Sequence, residues 1–451
     1  MKVGIIGCGY VGLVTGVGFA LKGHKVTSVE IDKSRVGQLT KGIVPFHEPG
    51  VQKGLKSVLK QGNIRISSSM DDIADCEVIL ICVQTPPQPD GVINLQILES
   101  ATRNLVSVLE QSPRLRTVVV RSTVIPGTTD KLVAPILQGN SSALAKKTAI
   151  AFNPEFLREG SALQDFLNPD RIVIGTKSGM AKKMLKKLFL PFKASIVWTT
   201  PSTAELAKYA SNTLLATLIS FSNEIARVCE RTPDTDVEDV LGVVHRDRRF
   251  SFPEGKGSLT AGILSYLKAG CGFGGSCLPK DLSALIAYAR SVDQETPLLQ
   301  AVATVNVGQS LRIIDMVSKA LGGLEKRKVA VLGVAFKGGT DDLRESPGLR
   351  IVDALLSKQA QVFIYDPLVK PVALEGYKNK RVTIASKLME ALQYADACIV
   401  TSNSPEFKTL RRWMKQEKNN HKVIIDGRRI LKVSGDLESN YYAIGRARKP
   451  V

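Results

Sequence analysis

Residues 2–12, KVGIIGCGYVG, constrain the fold of this chain more than any other stretch. A short apolar run, Lys2–Ile6, leads into Gly7-Cys8-Gly9-Tyr10-Val11-Gly12, a G-x-G-x-x-G turn that opens helical sequence. The next apolar run, Lys25–Val29, closes on Glu30. Such glycines carry meaning only in this setting, behind a strand, ahead of a helix and followed by an acid at the end of the next strand. Gly7 permits the tight turn, Gly9 lets a pyrophosphate approach the backbone, and Gly12 lets the helix pack closely on the sheet. A diphosphate would rest on helix N–H groups at the positive end of the helix dipole. Glu30 would accept hydrogen bonds from both ribose hydroxyls and repel a 2′-phosphate, so the expected cofactor is NAD rather than NADP. Lys33 and Arg35 nearby soften that discrimination. Cys8, inside the turn, reads as a small packing residue.

The same alternation continues. Val78–Val83, Thr117–Val120 and Ile150–Asn153 read as short buried strands separated by helix-length segments, and Arg171–Gly175 extends them. That pattern belongs to a parallel sheet with helices on both faces. It changes at Pro201-Ser202-Thr203, a helix start, after which a helical stretch runs to about Glu230 without Pro or Gly. Helical sequence follows around Asp281–Arg290 and Pro297–Leu321. A second α/β pattern begins near Arg327, with strand-like runs at Lys328–Gly333, Gln361–Tyr365, Ala397–Thr401 and Lys422–Ile425. The expected architecture is α/β, with two Rossmann-like doubly wound domains, residues 1–200 and 306–451, joined by a central helical domain, residues 201–305, that carries the long helix.

Composition removes other classes. The chain has 451 residues, 44% hydrophobic and 23% charged, enough to bury cores without staples. Seven cysteines without disulfide-like spacing point to free thiols in a reducing compartment, hence the cytoplasm. Four histidines and no Cys/His cluster argue against a metal. The net charge of +19 fits a solvated basic surface or attraction of anionic nucleotides. Aromatics are 6%, and no basic stripe interleaved with them suggests nucleic acid. No apolar run reaches the roughly 18–20 residues that span a bilayer, and the glycines of residues 4–18 fit a nucleotide-binding start better than a secretion signal.

The most unusual segment is Gly270-Cys271-Gly272-Phe273-Gly274-Gly275-Ser276-Cys277-Leu278-Pro279-Lys280-Asp281. Its glycines let backbone approach a ligand. Cys277 ends the loop just before a helix expected to start near Pro279, and a helix N-terminus with Lys280 beside it favours the thiolate. Cys277 is therefore the candidate nucleophile, while Cys271 reads as a buried packing residue. On the long helix, Glu205, Lys208, Tyr209, Asn212 and Asn223 recur among apolar residues. Lys208 and Asn212 share one face, where a lysine would stabilise developing negative charge on oxygen. The loops Arg121–Thr129 and Asn153–Gly160 follow strands, where α/β folds bind ligands. Glu155 or Glu159 would position a water there, or serve only as a solvated loop charge.

These segments (GCGYVG, TVVVRSTVIPGTT, NPEFLREGSA, ELAKYASNTLLATLISFSNE, GCGFGGSCLPKD and VLGVAFKGGTDDLRESP) together resemble the UDP-glucose/GDP-mannose dehydrogenases over essentially the whole chain. The resemblance implies NAD-dependent, two-step oxidation of a nucleotide-sugar alcohol to the uronate, with UDP-glucose the expected substrate and UDP-N-acetylhexosamine or GDP-mannose the alternatives. It implies a Cys277 thiohemiacetal and thioester, Lys208 and Asn212 as the oxyanion pair, Asp281 supporting Lys208 and the hydrolytic water, and Thr123 and Glu155 holding that water. The cofactor contacts it implies are Gly7, Gly9, Tyr10, Val11, Gly12, Glu30, Arg35, Thr85, Thr123, Glu159 and Arg344. For the sugar nucleotide it implies Phe156, Leu157, Glu159, Lys208, Asn212, Lys268 to Gly274, Phe336, Lys337 and Arg428. It also implies a homodimer or larger assembly, with Arg248 or Arg249 lent to a neighbouring chain.

The sequence departs from the family pattern at Gln84, where proline is expected, at Asn94, where aspartate is expected, and in a longer stretch over residues 246–268. Two rivals differ in class. A one-step hydroxyacid dehydrogenase also sets Lys and Asn on a helix behind a dinucleotide domain, but needs neither a reactive cysteine nor a second α/β domain, and would yield one NADH per substrate rather than two. A non-enzymatic NAD- or nucleic-acid-binding protein would show salt-sensitive DNA binding and no turnover.

Overall fold

The computed structural model describes residues 1–139, 142–254, 257–416, 421–431 and 439–447. The chain divides into two compact units, Met1–Ser211 with Ala287–Val292, and Asn212–Ile286 with Asp293–Val451.

The first unit is built on one sheet. Its strands are β1 (Lys2–Ile6), β2 (Lys25–Val29), β3 (Ile64–Ser67), β4 (Val78–Ile81), β5 (Arg116–Val120), β6 (Thr148–Phe152), β7 (Ile172–Gly175) and β8 (Ile196–Thr199), in the order β3-β2-β1-β4-β5-β6-β7-β8. Pairing is parallel throughout, except that β7 meets β6 antiparallel through Phe152 and Gly175. Alternate residues enter opposite cores. Val78, Leu80 and Val119 join one apolar cluster, while Ile79, Ile81, Val118 and Val120 join the other. A strand buried on both faces reads as a continuous apolar run, which is why these strands are legible in the sequence. The run at 78–83 leaves the sheet after Ile81, and the run at 150–153 begins earlier, at Thr148.

Helix α1 (Tyr10–Leu21) packs so closely against the short helix over Ala162–Leu167 that glycine is required. A Cβ on Gly18 would lie 2.1 Å from the ring of Phe166. That ring is 5% exposed and meets Phe19 and Phe192 edge-on, with centroids 5.1 and 5.4 Å away.

Helix α2 (Pro201–Cys229) starts in the first unit and ends in the second. The second unit continues with an antiparallel hairpin, β9 (Ser251–Glu254) and β10 (Gly257–Thr260), inside the longer stretch noted above. Gly255 and Lys256 of that stretch lie outside the described residues. Helices α3 (Leu278–Ser291) and α4 (Pro297–Leu321) follow, α3 starting one residue before Pro279.

The second sheet has β11 (Lys328–Leu332), β12 (Gln361–Tyr365), β13 (Val382–Ile384), β14 (Ala397–Val400), β15 (Val423–Asp426) and β16 (Tyr441–Ala443), ordered β13-β12-β11-β14-β15-β16 and all parallel. Both sheets reverse direction beside their first strand, at β1/β4 and β11/β14. Such a switch point opens a crevice at the carboxyl ends of the strands, where ligands of open α/β sheets bind. Among the described residues, no helix is long and apolar enough to cross a membrane.

Gly18→Ala sets two effects against each other. Helix propensity favours alanine by about 1 kcal/mol, while overpacking a filled core costs about 1–3 kcal/mol. Phe166 is held by its ring neighbours, so we expect net destabilisation of about 1–2 kcal/mol in urea unfolding. A more stable variant would show that the aromatic cluster yields.

Candidate active site

In the first unit, the turn after β1 has the geometry its glycines anticipate. Gly7 adopts φ +92°, and its N–H donates to Val29 O at 2.8 Å. A Cβ on Gly12 would lie 1.9 Å from Gly7 O, so no side chain fits there. A Cβ on Gly9 would meet no atom within 4 Å. Gly9 caps α1 without a side-chain hydrogen bond, and the first turn holds no acid. The helix therefore presents its first N–H groups to open space. Glu30, 6% exposed, accepts from Cys8 N–H at 3.0 Å and Asp32 N–H at 3.1 Å, with Arg35 Nη1 at 3.4 Å. A carboxylate offers about four lone-pair sites, which leaves capacity for a ribose hydroxyl. Val11 is half-buried in the first turn of α1. Thr85 and Thr123 are brought together, Thr85 Oγ1 donating to Thr123 O at 2.7 Å.

The loop after β6 carries the acidic candidates. Glu155 forms a buried ion pair with Lys208 at 2.9 Å and accepts from Leu157 N–H at 2.7 Å. Burial alone would raise the Glu155 carboxyl. The Lys208 charge and hydrogen bond, the Leu157 N–H and the Arg121 guanidinium outweigh it and hold the carboxyl below its ordinary range. The Lys208 ammonium also lies 5.4 Å from the centre of the Phe156 ring. Glu159 is half-buried next to Gly160. Glu205 behaves differently. Its burial outweighs hydrogen bonds from Thr129 and Gly127, so its carboxyl is raised.

Glu48 was not anticipated. It is 6% exposed, accepts from the Tyr10 hydroxyl, and binds Gly160 N–H at 2.7 Å and Ala162 N–H at 2.8 Å. One carboxylate thus ties the start of α1 to the loop of Glu155 and Glu159. Burial and Glu48 push the Tyr10 phenol upward. Nothing in His47-Glu48-Pro49-Gly50 distinguishes this acid from a solvated one before the fold is known.

In the second unit, all turns on the glycine-rich loop. Cys277 is the one cysteine of the seven that is not buried. Its carbonyl accepts Asp281 N–H at 2.8 Å, which makes it the residue that opens α3, and Ser276 Oγ lies 3.5 Å from its sulfur. The other thiols are sealed. Burial, with Glu30 and Cys82, pushes Cys8 up to about 12, and burial takes Cys271 up to about 11. Cys271 Sγ is spent on Gly427 O at 3.3 Å. Asp281, 1% exposed, accepts from Asn212 Nδ2 at 2.6 Å and from Lys280 Nζ at 2.5 Å. Lys280 is thus engaged by the Asp281 carboxylate.

The loop also meets the candidates near the second sheet. Gly275 N–H donates to Arg344 O at 2.9 Å, and a Cβ on Gly275 would touch the Phe336 ring at 2.8 Å. A Cβ on Gly274 would lie 2.2 Å from Glu345 O. Arg428 donates to Thr401 O at 2.6 Å and Phe336 O at 3.3 Å. Gly274, Phe336 and Arg428 therefore cluster. Lys337 lines a cavity of about 190 Å³ with Thr340, Asp366, Ser402 and Asn403 at the carboxyl ends of the second sheet. The Arg344 guanidinium pairs with Asp342 at 2.6 Å, and Arg249 with Asp247 at 2.5 Å. Arg248 and Lys268 are exposed.

The UDP-glucose/GDP-mannose dehydrogenase family matches the chain in three consecutive stretches, its NAD binding domain over residues 1–193, its central domain over 202–307 and its UDP binding domain over 330–433. The chain belongs to this family. UDP-glucose 6-dehydrogenase YwqF of Bacillus subtilis is 36% identical over 449 residues, 99% of this chain and 98% of the relative. The structure of a UDP-glucose dehydrogenase from Pyrobaculum islandicum matches with a TM-score of 0.86 at 35% identity, covering 99% of this chain and 98% of that one. A UDP-D-ManNAc dehydrogenase from Pyrococcus horikoshii matches with a TM-score of 0.84 at 28% identity, covering 99% of both chains. The chain is thus an NAD-dependent nucleotide-sugar dehydrogenase. The turn fits the cofactor, because the uncapped helix start and the gap over Gly9 are what a pyrophosphate needs.

Glu155→Gln leaves Lys208 charged and buried without its partner, which costs about 3–5 kcal/mol at neutral pH. Because the folded carboxyl is depressed, its contribution is complete above the unfolded value of about 4.3 and disappears as pH falls through the folded value. Urea titrations should show the deficit of the variant shrinking below about pH 4. A deficit independent of pH would contradict the ion pair.

Proposed function

We propose that the chain oxidises the 6-alcohol of UDP-glucose to the carboxylate of UDP-glucuronate, with Cys277 as covalent nucleophile. The observation that carries this reading is the contrast among cysteines, one thiol accessible at a helix start and six buried. UDP-glucose is favoured over a UDP-N-acetylhexosamine because the relative and the structure of higher identity bear its name.

NAD held at the Gly7–Gly12 turn and by Glu30 would supply the hydride acceptor for each of two oxidations. The sugar alcohol loses its first hydride and a proton to become an aldehyde. The Cys277 thiolate adds to that carbonyl carbon, forming a C–S bond. Lys208 and Asn212 hold the resulting oxyanion, and Asp281 orients Asn212 through their 2.6 Å hydrogen bond. Loss of a second hydride leaves a thioester. A water held by Thr123, Glu155 and Asp281 attacks it, and the thiolate departs as the carboxylate forms. The sum is one alcohol, one water and two NAD giving one carboxylate, two NADH and three protons. The covalent bond matters because a free aldehyde would otherwise escape between the oxidations.

The enzyme acts in the cytoplasm, where thiols stay reduced, as a homodimer built on α2. Leu206, Leu214, Phe221 and Val228 are 43%, 51%, 48% and 57% exposed and recur at seven- or eight-residue spacing along that helix. That is an apolar seam of coiled-coil period, which a second copy would cover. Phe221→Glu should shift the mass in light scattering to that of the monomer, and unchanged mass would exclude the seam.

Cys277→Ser should abolish carboxylate formation, whereas the native enzyme yields two NADH per UDP-glucose and turns over UDP-N-acetylhexosamines more slowly in a substrate panel. Normal carboxylate release from the serine variant would refute the role of Cys277.

A further inference from the structure

The loop that delivers Cys277 has no strand or helix to satisfy its backbone. An unpaired buried N–H or C=O costs about as much as a lost hydrogen bond, so its partners are informative. Three side-chain amides supply them. Asn223 Oδ1 accepts Gly270 N–H at 2.8 Å, and Gln309 Nε2 donates to Gly270 O at 2.8 Å. Asn306 binds both polar groups of Phe273, its Oδ1 accepting the N–H at 2.7 Å and its Nδ2 donating to the C=O at 3.0 Å. The four backbone groups at the two ends of Gly270–Phe273 are thereby saturated.

Asn306 and Gln309 are engaged through both their oxygen and their nitrogen, whereas Asn223 is held through its oxygen and its buried Nδ2 has no partner among the described residues. Asn223 and Gln309 are 0% exposed and Asn306 is 5% exposed. Gln309 Oε1 accepts Arg227 Nη2 at 3.1 Å, so its amide orientation is fixed from both ends. Asn306 and Gln309 are one turn apart on α4, among its buried residues Val302, Ser310, Ile313, Ile314 and Val317. Gly272, between the clamped ends, has φ +96°, and a Cβ there would lie 2.6 Å from Asn306 Oδ1. Phe273 is 5% exposed and packs with Ala216, Leu282 and Val302, which links the clamp to α3 itself.

We propose that Asn306 and Gln309 are positioning residues for the thiol step, setting the Cys277 sulfur where it captures the aldehyde before it escapes. This rests on the covalent reading of Cys277 above. Apolar residues of similar size would hold α4 against α2 but leave the buried backbone groups of Gly270 and Phe273 unpaired, so the amides serve the loop and not the helix contact alone. What amides add is register, because each needs a donor and an acceptor at a fixed place on the loop. A displacement of about 1 Å in a reacting group costs about a hundredfold in rate.

Two near-isosteric variants test this. Asn306→Asp keeps the acceptor for Phe273 N–H but turns a carboxylate oxygen toward Phe273 O. Gln309→Glu loses the donor to Gly270 O while gaining an ion pair with Arg227, so it preserves the helix contact and loosens the loop. The readout is the ratio of NADH formed to sugar consumed, with hydroxylamine present to trap free aldehyde, and NAD affinity measuring the folded fraction. Misplaced sulfur predicts a kcat at least tenfold lower per folded enzyme, a ratio falling from two toward one, and trapped aldehyde oxime. A lower kcat with the ratio held at two and no oxime assigns the amides to folding alone and overturns the proposal, as does an unchanged kcat. Should Asn306→Asp fail to fold, Gln309→Glu carries the same comparison. Cys277→Ser run alongside separates the two readings. If it still releases carboxylate, the covalent reading falls, whereas an inactive serine variant beside two unaffected amide variants removes the positioning role alone.

Discussion

A thiol can serve as nucleophile only if it is both reachable and fixed, and glycine-rich backbone works against the second requirement. The segment Gly270–Cys277 meets that conflict by borrowing polar partners from its surroundings. Asn223, Asn306 and Gln309 hold one end, the Arg344 carbonyl holds Gly275, and the first hydrogen bond of α3 holds Cys277 itself. Glycines at 272, 274 and 275 sit where a Cβ would strike Asn306, Glu345 or Phe336. The loop is thus open in sequence and closely confined in space.

The two sheets solve one problem twice. In each, the turn after the first strand begins with a glycine at φ near +90° whose N–H bonds the last residue of the second strand, Gly7 to Val29 and Gly333 to Tyr365. In each, an acid follows that strand and accepts an N–H from the turn, Glu30 from Cys8 and Asp366 from Ala335. The shared strand order around the switch point completes the parallel. Asp366 also binds Leu368 N–H and Val369 N–H, so it is spent on its own loop more fully than Glu30 is.

Much of this was legible beforehand because central strands buried on both faces cannot be disguised. The edges were not. Ile64–Ser67 is short and half-polar, and Ile196–Thr199, though apolar, is only four residues long and not fully buried at any position, so neither stands out until a neighbouring strand claims it. The motif residues were readable because their chemistry is unusual, a cysteine behind four glycines or a lysine on an apolar helix. Glu48 and Gln309 were silent because their meaning lies in backbone groups more than thirty residues away. The partners of Asp281, Asn212 and Lys280, are likewise set by packing rather than by pattern.

The account stands or falls on a carbon–sulfur bond at Cys277. Acid-quenching the enzyme during steady turnover of UDP-glucose and digesting it for mass spectrometry tests that bond directly. The account predicts a peptide bearing Cys277 that has gained a uridine diphosphoglucuronyl thioester, removable by hydroxylamine. Its absence under conditions that slow hydrolysis, while NADH still forms at two per sugar, would contradict covalent capture.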